Sequence, residues 1–159
     1  MDKSALARSV LAKLEAELAL QTQAALGSRE EATDEESRAE DKYDMRSQSA
    51  AYLAAGQARL ATEIAAAIGA WKAVSFRSFA PGEPIEVGAV VTLEAKGRLT
   101  RYLVGPQSGG LEISDGDRVA VVVTAGSPLG RQLMGRRSGD TVQISDRMGP
   151  VPHRVTAVE

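Results

Sequence analysis

The chain has 159 residues, 43% of them apolar, and a formal net charge of −2, enough for one ordinary domain or a small globular domain with a helical extension. It has no cysteine and a single histidine, His153, which excludes disulfides, thiolate chemistry and histidine metal clusters. The near-neutral charge offers no basic face for autonomous DNA binding, and no run approaches the ~20 apolar residues of a membrane span, which points to the cytoplasm.

Residues 4–26 are rich in Ala, Leu, Glu, Gln and Lys, all good helix formers, and meet no proline and no glycine before Gly27. Leu11, Leu14, Leu18 and Ala25 follow coiled-coil spacing, with Gln21 as a polar exception. Residues 46–73 repeat the behaviour through Leu53, Gln57, Leu60, Ile64, Ala67 and Trp71. Neither helix can bury its stripe alone, so the two are expected to pack as an antiparallel hairpin over residues 5–73. Matching the stripes makes residues summing to about 78 face each other, with Leu53 opposite Ala25, Leu60 opposite Leu18 and the apex near Ala39. A competing register follows from Thr33 and Glu36, which fit a capping box that starts the second helix at about Asp34 and moves the tip back to 27–32.

Between the helices the charge is concentrated. Residues 28–46 carry eight carboxylates (Glu30, Glu31, Asp34, Glu35, Glu36, Glu40, Asp41 and Asp44) against Arg29, Arg38, Lys42 and Arg46, a local balance of −4. An acidic tip on a helical rod reads either as a solvated surface or as a probe that delivers carboxylates to a partner.

Pro81, Gly82 and Pro84 end the helical region. The expected division is therefore a hairpin over 1–74, a linker over 75–84 and a C-terminal domain over 85–159. That domain shows strand-like runs at 87–94, 99–104, 118–124, 141–145 and 154–158, separated by turns at Lys96-Gly97, Gly109-Gly110, Asp115-Gly116 and Met148-Gly149. Between the third and fourth runs, Ser127 as N-cap and Pro128 at the first helical position open a short helix that Gly135 stops. The expected class is α+β, a small antiparallel sheet carrying one short helix.

Several pieces of this domain resemble one family as a set: Val87-Gly-Ala-Val-Val-Thr-Leu93, Tyr102-Leu-Val-Gly105, Gly126-Ser-Pro-Leu-Gly130 followed by Gln132-Leu-Met-Gly135, and Ser138-Gly-Asp140. They are similar to the C-terminal, FKBP-like domain of the bacterial GreA/GreB (Gre-type) transcription elongation factors, and the preceding hairpin extends the resemblance over nearly the whole chain. The resemblance implies a divergent factor that docks on RNA polymerase, inserts its hairpin into the secondary channel and comes close to nascent RNA. Cleavage of backtracked RNA would be the polymerase's own, so the chain is an accessory factor and not itself an enzyme. It would hold no cofactor of its own, the metal being Mg2+ of the polymerase active site. The family's tip motif, Asp-x-x-Glu, finds its counterpart in Asp41-Lys-Tyr-Asp44, one methylene shorter, which makes Asp41 and Asp44 the metal-proximal candidates and Glu36 and Glu40 second choices. Carried over by position, polymerase contacts fall on Gly126, Ser127 and Pro128, with Arg131, Arg136 and Arg137 nearby. The family usually has Asp or Asn where Gly126 stands.

Two other readings remain open on the sequence: a channel-binding regulator without cleavage, and a coiled-coil adaptor. An FKBP-like fold also invites prolyl isomerase activity, but only Phe76, Phe79 and Tyr102 are available as aromatic walls.

Overall fold

The computed structural model describes residues 1–33 and 46–159. Two long helices come first, α1 (Lys3–Thr33) and α2 (Arg46–Lys72). Asp2 starts α1, its carboxylate accepting the Ser4 N–H at 2.9 Å and its carbonyl the Leu6 N–H at 3.0 Å. At the other end α1 runs through Gly27 to Thr33, whose hydroxyl donates back to the carbonyls of Arg29 and Glu30 at 3.0 and 3.2 Å. Thr33 is thus the last residue of the first helix and not the cap of the second, which removes the register with its tip at 27–32.

The chain forms two compact units. One contains Met1–Leu11 with Ala70–Glu159, the other Ala12–Gly69. In the second unit, Ser28 Oγ donates to Gln57 Oε1 across the two helices at 2.9 Å. These positions sum to 85, one heptad from the expected 78.

The seam also differs from the expected one. Leu53 is 56% exposed and Leu60 40%, whereas Ala50 and Ile64 are buried and Ala54, Gln57 and Ala61 half-buried. The inward row of α2 is therefore Ala50, Ala54, Gln57, Ala61 and Ile64. The expected row shares Gln57 and Ile64 but turns Leu53 and Leu60 inward. Both rows keep coiled-coil spacing, and the structure takes the one built on alanine. On α1 Leu14 is buried, while Leu18, Gln21, Ala24, Ala25 and Ser28 are half-buried.

The first unit is built on a six-stranded sheet. Its strands are β1 (Val90–Ala95), β2 (Arg98–Gly105), β3 (Glu112–Asp115), β4 (Arg118–Thr124), β5 (Thr141–Asp146) and β6 (Gly149–Val158), in the spatial order β3-β4-β2-β1-β6-β5. The pairing is antiparallel except between β2 and β4, which run parallel with Tyr102 opposite Val121. The sheet is thus mixed, where a purely antiparallel one was expected. β3, whose short edge pairing with β4 makes β2 and β4 parallel, was absent from the expected set. Only Ile113 of its four residues is buried. β1 and β2 close through Lys96 and Gly97, both at positive φ (53° and 76°), which matches the right-handed strand twist. β6 pairs with β1 only from Arg154 on, so Pro150 and Pro152, opposite Ser145 and Gln143 of β5, forfeit no ladder bond on the β1 side.

Burial on both faces accounts for the four consecutive buried residues of β1, Val90, Val91, Thr92 and Leu93. On one face, Ile85, Ala89, Val91, Leu93, Val104 and Val155 form the core with Leu133 of the short helix α3 (Pro128–Leu133). On the other, Trp71 lies over Gly105, where an added Cβ would come within 2.4 Å of the indole ring and 3.2 Å of Val122. Leu6, Val10 and Trp71, from the helix ends that belong to this unit, are all buried. Phe76 stacks parallel to Trp71 with ring centres 6.4 Å apart.

Candidate functional site

The segment 124–132 builds a tight corner from β4 into α3. Ser127, in extended conformation at φ −70° and ψ 161°, accepts the Gly130 N–H on its Oγ at 3.0 Å and donates the same hydroxyl to the Thr124 carbonyl at 2.8 Å. The Ser127 N–H reaches that carbonyl too, at 3.0 Å. The hydroxyl proton is therefore committed inside the corner, and Ser127 shapes the loop. Pro128 at the first helical turn needs no N–H partner. Gly130 is a steric requirement, because a Cβ there would stand 1.9 Å from the Thr124 oxygen.

Three residues of this corner face water. Gly126, Pro128 and Arg131 are exposed, and Arg131 Nη1 donates to the Gly126 carbonyl at 2.5 Å, so its guanidinium stays beside the loop with other N–H groups to spare. The structure thus brings Gly126, Ser127, Pro128 and Arg131 into one small surface. Arg137 is held elsewhere: its guanidinium donates to the Gly82 carbonyl and its N–H to Asp140 at 2.9 Å, which ties the linker to the Gly139 turn. Arg136 is exposed, and its carbonyl accepts the Ile85 N–H at 2.7 Å. The tip candidates Asp41, Asp44, Glu36 and Glu40 lie outside the described residues. Among the described residues no three His, Cys, Asp or Glu side chains gather as metal ligands.

Gln132 belongs to one of the pieces that carry the resemblance but was assigned no role of its own. Its amide accepts the Gln143 N–H and donates to the Gln143 carbonyl, both at 2.8 Å. β5 is an edge strand, and this side chain occupies the two groups an added strand would use. Beside it, Pro128, Leu129, Gln132 and Ile144 border a shallow cleft of about 280 Å3. The signal that could have found Gln132 is its four-residue offset from Pro128, which places both on one side of α3.

The linker is fixed by charge. Arg77 donates to Glu83 at 2.8 Å and to Glu86 at 3.1 Å, and its guanidinium lies 4.0 Å from the Phe79 ring centre. The Arg77 hydrogen bond and, second, the Ala80 N–H hold the Glu83 carboxyl below its ordinary range. With Phe76 on Trp71 and Phe79 beneath Arg77, neither ring is available to wall an apolar isomerase pocket with Tyr102.

Two long helices followed by a mixed sheet with a Ser-Pro-capped helix define a two-part α+β chain. Residues 80–159 match the family described as transcription elongation factor GreA/GreB, C-terminal, a span of half the chain. The chain belongs to the GreA/GreB family. Among solved structures, GreA factor homolog 1 (Gfh1) of Thermus thermophilus aligns at 23% identity over 98% of this chain and 95% of its own, with a TM-score of 0.40. Thermus aquaticus Gfh1 aligns at 22% identity over 98% and 95%, with a TM-score of 0.38. The prokaryotic transcription elongation factor GreA/GreB from Nitrosomonas europaea aligns at 15% identity over 65% and 78%, with a TM-score of 0.37. No curated protein sequence matches significantly. No described helix is long and apolar enough to cross a membrane.

Proposed function

We propose that the chain is an accessory elongation factor of bacterial RNA polymerase, acting in the cytoplasm, that docks through the 126–131 corner and carries the acidic segment of its hairpin into the secondary channel. Family membership through residues 80–159 is the observation that carries this reading. The exposed Gly126, Pro128 and Arg131 on a rigid corner supply a surface for docking. Oxygen donors from two carboxylates suit a hard divalent ion, so Asp41 and Asp44 are the residues that would help hold Mg2+ of the polymerase. A free, exposed pair binds Mg2+ poorly because the ion gives up its waters reluctantly, so the site is composite and the cleavage belongs to the polymerase. The chain's own contribution is to bring negative charge to the ion.

One observation favours a second reading. Asp44 stands where the resemblance places a glutamate, which withdraws one carboxylate by a methylene and suits a regulator that enters the channel without supporting cleavage. Transcript cleavage by stalled, backtracked bacterial RNA polymerase separates the readings. Stimulation by the wild type that is lost in Asp41→Asn/Asp44→Asn supports metal assistance. Absence of stimulation, with competition against an authentic Gre factor, supports the regulator. Neither effect removes the polymerase reading.

A further inference from the structure

We propose that the sheet face between Arg98 and His153 is a binding site for a carboxylate carried on a short aliphatic body. The site follows from strand register. Ala95 lies opposite Arg98 of β2, and His153 lies opposite Val142 of β5. β1 and β6 pair Leu93 with Val155 and Glu94 with Arg154, so the next position sets Ala95 beside His153. One row across the sheet therefore reads Arg98, Ala95, His153, Val142, all on the face that carries α3. The small residue stands between two long ones, and a trough results.

The trough measures about 370 Å3, at the low end of the ~300–1,000 Å3 of small-molecule sites, which suits a small acid or a chain end. Ala95, Ile144 and Val151 give it an aliphatic floor, and Arg98, Thr100 and His153 bring polar atoms to it. His153 Nδ1 lies 2.9 Å from the Val151 carbonyl, which can only accept, so this nitrogen donates and Nε2 is the atom left to meet a ligand. In the imidazolium form both nitrogens donate, and Nε2–H can then face an anion. Among the described residues neither the Arg98 guanidinium nor the Thr100 hydroxyl has a hydrogen-bond or ion-pair partner. Lys96, on the lip, has φ 53°, a conformation that disfavours any residue with a side chain and comes more easily to glycine or asparagine. The turn nonetheless keeps a cation there.

Charge sets the sign of the ligand. Lys96 and Arg98 give the cavity two cations, and none of its lining residues is acidic. The neighbouring carboxylates are placed away from it. Glu94 is on the opposite face of β1 and accepts the Gly97 N–H at 3.0 Å. Asp117, in the turn before β4, forms no ion pair with Arg98 among the described residues. Asp146 ends β5 four positions beyond Val142, about 13 Å along the strand and past the ~8 Å Debye length of physiological salt, and Arg147 follows it. A planar carboxylate matches the two-pronged guanidinium of Arg98, with the aliphatic part of the ligand on Ile144 and Val151, which lie opposite each other. No aromatic ring lines the cavity, so a nucleobase finds nothing to stack on.

The chain supplies two probes of its own, because it has one histidine and one tryptophan, and Trp71 packs on the other face of the sheet. Proton NMR of the full-length protein at about pH 6, where imidazole is protonated in large part, follows both. Added 4-methylpentanoate, or a tripeptide with a free C-terminal leucine, should shift the His153 ring protons saturably in the millimolar range and leave the Trp71 indole N–H in place. The amidated tripeptide should do neither. Binding of the free acid alone or of the peptide alone identifies the source of the carboxylate, and either supports the site. Arg98→Gln should weaken binding about tenfold, whereas Arg118→Gln, an equal loss of charge on the opposite face, should change it less than about twofold. Ala95→Leu should fill the trough and remove binding with the Trp71 signal unmoved. No saturable shift with either carboxylate, equal shifts with the amide, or equal loss in Arg98→Gln and Arg118→Gln overturns the proposal. No polymerase enters the experiment, so its outcome is independent of the function proposed above.

Discussion

Replacing Gly130 by alanine is the sharpest test of how the corner between β4 and α3 is built. In an ordinary helix the change gains about 1 kcal/mol. Here the new Cβ would stand 1.9 Å from the Thr124 oxygen, 2.7 Å from the Thr124 carbonyl carbon and 3.0 Å from the Ala125 Cα. All three are backbone atoms, so no side chain can swing aside, and β4 and α3 must separate by more than 1 Å. That separation breaks both bonds to the Thr124 carbonyl, from Ser127 N–H and Ser127 Oγ, at about 1 kcal/mol each. It also removes the cap between Ser127 Oγ and the Gly130 N–H, about 1 kcal/mol more. Against the helical gain the net loss is roughly 2 kcal/mol, or about 4–8 °C in Tm for a chain of this size. Gly126→Ala is the matched control, because a Cβ there meets nothing within 4 Å, and it should stay within about 0.5 kcal/mol of wild type. Thermal unfolding followed at the sheet signal reads both. Gly130→Ala at or above wild-type stability would refute the packing argument, whatever the polymerase assay showed.

Two further outcomes follow from the same unit. Gly105→Ala would press a methyl to within 2.4 Å of two Trp71 ring carbons and should cost about 1–3 kcal/mol, with a shift in the emission of the chain's one tryptophan; an unchanged spectrum and stability would sink the contact. Acid should loosen the linker: the folded-state pKa of Glu83 lies below its ordinary 4.5, so its stabilising contribution is present above that value and disappears as pH falls through the depressed one. The Tm difference between wild type and Glu83→Gln should accordingly shrink below pH 4.5, and a gap that stays constant down to pH 3 would contradict the Arg77–Glu83 account.

The C-terminal domain was legible because each of its signals was local. Lys96-Gly97 turned where its φ values require, and Ser127-Pro128 capped the helix it was expected to cap. Non-local features were harder. β3 presents one buried residue, Ile113, and such a strand exists because β4 lies beside it. Its presence is also what makes β2 and β4 parallel, a relation that no periodicity in either strand encodes. Gln132 reads as an ordinary polar helix residue until β5 lies next to it with an unpaired edge. Of the candidate site, the 126–131 corner could be read from capping chemistry, whereas the carboxylates at 36–44 rest on resemblance and charge.

The hairpin seam shows how a local pattern can be satisfied in more than one way. Leucine at 53 and 60 and alanine at 54 and 61 are neighbours in sequence, and both rows repeat at coiled-coil intervals with Gln57 and Ile64 in common. Hydrophobicity alone favours turning the leucines inward, since each buried leucine is worth ~2 kcal/mol more than an exposed one. The structure instead places alanines, Gln57, Gln21 and Ser28 toward the seam, with the Ser28–Gln57 bond between the helices. A helix pair that leaves leucines outside and small or polar groups inside forgoes part of that burial for close approach and a hydrogen bond between the helices. It also makes a prediction about sequence: moving Leu53 to 54 and Ala54 to 53, with the same exchange at 60 and 61, should raise the Tm of the full-length protein, read by thermal unfolding. If the exchanged protein is less stable than the native one, the alanine seam is the better-packed interior.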